Sequence, residues 1–196
     1  MKTIFKPAIW KILKLFYENK NKPIHLREIS RLVKLNESTI SRHLNNLVKM
    51  DVLKTLTDGN LKKFYVNKIH IPDLFPLFDS EKLEALPILR RDAVKLYLSK
   101  IEKKPVFLIV FGSTAKGNFN KQSDLDLLEI ISTKYNNEKV KMYVEAQTGI
   151  KLQIFRIRET QFYKELKLKN DRVVQAALET GFPVFNGKYF YEEVFL

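Results

Sequence analysis

The sequence predicts two domains, of α+β and α/β class: an all-helical module completed by a β-hairpin, then a module with a mixed sheet flanked by helices. Three observations carry this. Apolar residues recur at helical spacing in three segments before residue 50, and Asp58-Gly59-Asn60 then separates two short strand-like runs. Beyond residue 105 a continuous apolar run, Val106 to Phe111, has the character of a strand buried on both faces, and Ser123 to Leu128 begins a second one. At 196 residues the chain has room for one ordinary domain or two small ones, and an aromatic fraction of 12% supplies apolar surface to bury.

In the first module Ile9, Leu13 and Phe16, with Ile12 beside them, share one face of a helix that Pro7 is suited to begin and that Asn19, Asn21 and Pro23 end. A short extended Ile24-His25-Leu26 follows. Ile29, Leu32 and Val33 mark a second helix that stops before Asn36. Asn36 is suited to cap a third, with Glu37 in its first turn and Ile40, Leu44, Leu47 and Val48 as its core stripe. Its opposite face carries Ser38, Thr39, Ser41, Arg42, Asn45 and Lys49, short polar and basic side chains of the kind that donate to base edges and phosphates. His43 reads as a packing or phosphate-contact residue.

The hairpin then runs from Val52 to Val66 with its turn at Asp-Gly, and Lys62 and Lys63 lie near its tip. Three helices and a basic hairpin, with Leu26-Arg27-Glu28-Ile29 and Ser41-Arg42-His43-Leu44, resemble the winged helix-turn-helix family in its bacterial and archaeal regulator branch. The resemblance covers roughly residues 5 to 68 and implies duplex DNA as a partner.

Charge agrees. The chain carries +13, and residues 1–79 hold 15 basic against 7 acidic side chains; an excess of lysine and arginine favours a polyanion through counterion release. The absence of cysteine excludes disulfides, thiolate zinc sites, iron-sulfur clusters and thiol nucleophiles, and with His25, His43 and His70 as the full histidine complement no metal site is expected in the first module. Lys11 and Lys14 interrupt Met1 to Phe16 as a secretion signal, and no segment approaches the apolar length of a membrane helix. A soluble, cytoplasmic protein with no membrane partner is expected.

Between the modules, Lys68 to Ser80 contains Pro72 and Pro76 with Ile71, Leu74, Phe75 and Phe78, which predicts a packed connector rather than a free linker. Ser80 is expected to cap a helix with Glu81 and Glu84 in its first turn, Pro87 to kink or divide it, and Asp92 to Lys103 to continue as an amphipathic segment. The domains are accordingly set at 1–70, 71–89 for the connector and helix, and 90–196.

Gly112-Ser113 follows the first buried strand at once, and Asp124 and Asp126 stand two apart at the start of the second. Strand alternation sends both carboxylates to one side, roughly 6–7 Å apart along the chain. Such a pair suits two magnesium ions, which sit about 3.5–4 Å apart in phosphoryl-transfer sites. Gly112 lets the backbone turn against a phosphate, Ser113 and the following amides can face a nucleotide tail, and Lys116 adds positive charge.

Phe111-Gly112-Ser113-Thr114-Ala115-Lys116-Gly117 with Ser123-Asp124-Leu125-Asp126-Leu127 resembles the signature of the minimal nucleotidyltransferases of the polymerase-β-like superfamily. The similarity spans roughly residues 90 to 186 and closes with Ala177 to Phe185, similar to the family's last helix and strand. It implies Asp124 and Asp126 as metal-binding catalytic residues, Gly112, Ser113 and Lys116 as nucleotide-binding residues, and NTP with magnesium as ligand or substrate. The family places a third carboxylate on the next strand, Ile150 to Ile157, and here Gln153 stands in its place. An amide supplies neither charge nor a base. Glu129 and Glu145 are the alternative carboxylates.

The expected function is therefore a DNA-binding, transcription-regulating protein with an N-terminal winged helix and a C-terminal nucleotidyltransferase fold that binds NTP and magnesium. The alternative is an active transferase that moves a nucleoside monophosphate to a protein or RNA hydroxyl. A homodimer and a paired-partner role are left open.

Overall fold

The fold is known from a computed structural model, which describes residues 6–196; Met1 to Phe5, included in the N-terminal readings above, lie outside the described residues. The described chain divides into two compact units, residues 79–194 forming one and residues 6–78 with 195–196 the other.

In the first unit α1 (Pro7–Glu18) begins at Pro7 as expected and buries Ile12, Leu13, Leu15 and Phe16. β1 (Ile24–His25) leads into α2 (Leu26–Val33) and α3 (Glu37–Lys49). Asn36 caps α3, its side chain accepting the Thr39 amide at 2.8 Å, and Ile40, Leu44 and Leu47 form the buried stripe. Leu32, expected on the apolar face of α2, is exposed instead. At eight residues α2 has room for one buried stripe, and Ile29 and Val33 fill it.

β2 (Leu53–Asp58) and β3 (Leu61–Val66) pair antiparallel with Asp58 opposite Leu61, so the turn is Gly59-Asn60 and Asp58 belongs to the strand. Gly59 takes φ +58, which glycine tolerates without strain. The sheet order is β1-β3-β2.

A 3-10 turn (Lys68–His70) and then α4 (Ile71–Glu84) occupy the segment read as connector. Ser80 lies inside this helix rather than at its start, and Pro76 is interior. Pro72 sits in the first turn, where no amide donor is needed. Ile71, Phe75 and Phe78, at helical spacing, are all buried, and packing of Trp10 on Phe78 and Tyr17 on Phe75 (ring centroids 4.5 and 5.4 Å) offsets the hydrogen bond that Pro76 removes.

Pro87 divides the helices as expected and caps α5 (Ile88–Lys100), which ends three residues short of the predicted Lys103. The second unit continues with β4 (Phe107–Phe111), α6 (Gly112–Lys116), β5 (Leu125–Ile131), α7 (Glu138–Thr148), β6 (Leu152–Arg158), α8 (Glu159–Leu168), α9 (Arg172–Thr180), β7 (Phe182–Phe185) and α10 (Gly187–Phe195). The sheet order is β6-β5-β4-β7, with β5 and β6 parallel and the other pairs antiparallel, which makes it the expected mixed sheet.

Alternation assigns the two faces. Leu108, Val110, Leu125, Leu127 and Leu152 pack with Ala93, Val94 and Tyr97 of α5 and Val144 of α7. On the other face Phe107 meets Phe162 of α8 and Phe190 of α10, with centroids at 5.0 and 5.4 Å. Among the described residues no helix is long and apolar enough to cross a membrane.

Candidate functional site

The site is built where β4 ends and β5 begins. All five residues of β4 are buried, so the chain leaves the sheet core at Phe111 and turns at once through Gly112, whose φ of +67 favours glycine. A second constraint acts at the same residue. A Cβ on Gly112 would overlap Oδ2 of Asp126 and lie 2.9 Å from its Cγ. The carboxylate therefore rests directly against the backbone of the turn.

Asp126 faces Phe111 across the antiparallel pair and Gln153 across the parallel one. Asp124 immediately precedes β5 and is exposed, while Asp126 is half-buried. Burial pushes the Asp126 carboxyl above its ordinary 3.8, the Asp124 charge adds to the rise, and Arg90 opposes it. Paired, partly desolvated carboxylates of this kind are relieved by a cation.

The donor set fits magnesium, which needs only one or two carboxylates when phosphate oxygens and water complete its octahedron. Among the described residues no group of three or more acidic or histidine side chains could enclose a metal by itself. Ser113 is partly exposed and Lys116 exposed on α6, where Gly117 (φ +77) ends the helix. Gln153 is exposed beside Asp126, in the position where the third carboxylate was sought.

The alternative carboxylates are engaged elsewhere. Glu129 is fully buried on the opposite face of β5, accepting from Tyr97 Oη at 2.6 Å and from Arg156 Nε. Glu145 accepts the Leu152 amide at 2.8 Å.

Sequence reasoning missed Arg90. It is 3% exposed, and its guanidinium donates to Thr114 Oγ1 (2.7 Å) and to the carbonyls of Ser123 (2.6 Å), Asn120 (3.1 Å) and Asp124 (3.3 Å). Phe119 lies over it with its centroid 4.4 Å from Cζ. The loop that delivers Asp124 is thus fastened from behind. No local pattern around Ile88-Leu89-Arg90-Arg91 announces it, since its partners lie 24 to 34 residues away.

In the first unit α3 presents Ser38, Arg42, Asn45 and Lys49 exposed, with Thr39 and Ser41 partly so. Arg42, Lys49 and Lys62 form no ion pair with another described residue. Lys63 differs. Its ammonium is held by Asp58 at 2.6 Å across the hairpin, while Lys62 lies over the Phe64 ring.

Residues 93–186, which hold Gly112, Asp124, Asp126 and Gln153, match the family model described as Polymerase beta, Nucleotidyltransferase. Residues 10–55, from α1 into β2, match that of the Bacterial regulatory protein, arsR family. The fold is a winged helix-turn-helix joined to a nucleotidyltransferase domain. No curated protein and no solved structure matches the chain. The nucleotidyltransferase match starts beyond Arg90, so the residue that fastens the Asp124 loop lies outside the matched segment, whereas the helix-turn-helix match includes all of α3.

Proposed function

We propose that the protein is a cytoplasmic, DNA-binding regulator whose nucleotidyltransferase domain binds a nucleoside triphosphate with magnesium. The observation that carries this is the seating of the Asp126 carboxylate against Gly112, which brings the acidic pair and the phosphate-turn residues to one point. Asp124 and Asp126 hold the magnesium, and Gly112, Ser113 and Lys116 meet the phosphates. Magnesium supplies neutralising charge to the phosphate oxygens. The residues of the chain orient the nucleotide.

In the first unit, α3 enters the major groove through Ser38, Thr39, Ser41, Arg42, Asn45 and Lys49, and the hairpin touches the backbone through Lys62 and, with Asp58 competing for its ammonium, Lys63. Transfer of a nucleoside monophosphate to a protein or RNA hydroxyl is the second reading, favoured by the intact acidic pair. Gln153 weighs against it, because a neutral amide beside Asp126 offers no base for the acceptor hydroxyl.

Fluorescence polarisation with duplex fragments over a salt series tests the regulatory reading. Arg42→Ala is expected to weaken binding by about 1–3 kcal/mol and relax sequence choice, and Lys62→Ala to reduce the salt slope by about one. Lys63→Ala should do less. Absence of affinity for any duplex at low salt removes this reading.

A further inference from the structure

We propose that Arg90 is the positioning residue of the acidic pair: it fastens the loop that carries Asp124 and sets a fixed positive charge behind both aspartates while leaving their carboxylate oxygens free. This rests on the reading that Asp124 and Asp126 hold magnesium.

All four hydrogen-bond acceptors of the Arg90 guanidinium are neutral, one hydroxyl and three main-chain carbonyls. A buried cation with no carboxylate in contact is costly to place, and a purely structural clamp could use a neutral donor instead. What the guanidinium adds is charge. Burial disfavours that charge most strongly, and Asp126 and then Asp124 favour it through space. Arg90 meets Asp124 only at its main-chain carbonyl. Two aspartates side by side repel one another when no cation bridges them. A fixed cation bonded to the loop and not to the carboxylates offsets that repulsion without occupying the metal-facing oxygens.

The loop has bracing of its own. The Asn120 amide donates to Ser123 Oγ at 3.0 Å and the Gln122 amide to Asn120 Oδ1 at 2.8 Å. These bonds shape the turn internally. Among the hydrogen bonds described, those of Arg90 tie it to α5, and the one to Thr114 ties α5 to the helix that Gly112 opens. One guanidinium therefore sets the spacing between the two halves of the site.

The experiment uses the full chain with Arg90→Met, Arg90→Lys and Thr114→Val. It reads thermal melting, amide exchange in residues 118–124, and the ATP dissociation constant with and without magnesium. In Arg90→Met the exchange of that loop should quicken by about tenfold or more while β4 and β5 keep their protection, and magnesium-dependent affinity should fall by about tenfold or more with magnesium-free affinity unchanged. Arg90→Lys, which keeps the charge but not the four-way bonding, should recover part of the loss. Should Arg90→Met fail to fold, Thr114→Val, which removes one acceptor, and Arg90→Lys carry the same comparison.

Unchanged loop exchange overturns the proposal, as does a fall in magnesium-free and magnesium-dependent affinity by the same factor, or tighter magnesium-dependent binding in Arg90→Met. If the wild type binds no nucleotide with magnesium, the magnesium reading falls by itself. Loop exchange then decides alone: faster exchange in the variants keeps the fastening role, and unchanged exchange overturns it.

Discussion

Asp126 and Glu129 lie three residues apart on β5, and the strand sends them to opposite faces with opposite fates. Glu129 is fully buried, with Tyr97 donating to one of its oxygens and Arg156 to the other, so its charge is spent inside the fold. Asp126 is half-buried against Gly112, with a second aspartate nearby and a cation that acts on it without bonding its carboxylate. The first is a completed interaction and the second an incomplete one. An acidic residue is informative about function when the fold gives it a like-charged neighbour and withholds the partner.

The largest expected effect comes from extending the incomplete side. Gln153→Asp places a third carboxylate next to Asp126 across the parallel pair and supplies the missing base. Labelling of an RNA or protein acceptor from radioactive NTP should rise by about 10²–10⁴-fold over the wild type. Robust wild-type transfer would show that two carboxylates suffice.

The completed side is broken by Glu129→Ala, which strands a buried tyrosine hydroxyl and the Arg156 guanidinium. Urea unfolding should show a loss of about 3 kcal/mol, the low end for a broken buried ion pair because Arg156 retains some access to water. A loss as small as that of a surface substitution would contradict the assignment of Glu129 to the core.

The smallest effect has the opposite sign. Because the folded state raises the Asp126 carboxyl above 3.8, folded protein binds more protons than unfolded protein just above that value. The Asp126 contribution to stability therefore falls as pH rises from 3.8 through the raised value and is level beyond it. Asp126→Asn lacks that loss. In chelator the two proteins should melt alike in acid, and the variant should melt slightly higher at neutral pH. Parallel melting curves across the range would show that the pair is not under strain.

The same contrast explains what was legible in the sequence. Gly112, Asp126 and the Asn36 cap depend on neighbours within a few residues or on strand alternation and stood where the spacing put them, whereas Asp124, read as the start of the strand, falls just before β5, which begins at Leu125, and Gln153 was singled out by the family resemblance. Glu129 had a readable face but no readable partner, since Tyr97 and Arg156 come from other elements. Arg90 was invisible for the same reason. In α4 the local rule misled, because two prolines outweighed the Ile71, Phe75 and Phe78 stripe that packing rewards. α8 and α10 were not anticipated, their buried Phe162 and Phe190 being placed by contact with Phe107 rather than by a strong repeat of their own.

Calorimetric titration of the full chain with ATP, with magnesium and with chelator, beside Asp126→Asn and Glu129→Gln at a temperature where all three are folded, tests the central claim most directly. Magnesium-dependent binding is expected in the wild type, with its loss in Asp126→Asn and its retention in Glu129→Gln. Equal binding with and without magnesium, or magnesium-dependent binding that survives Asp126→Asn, would contradict it.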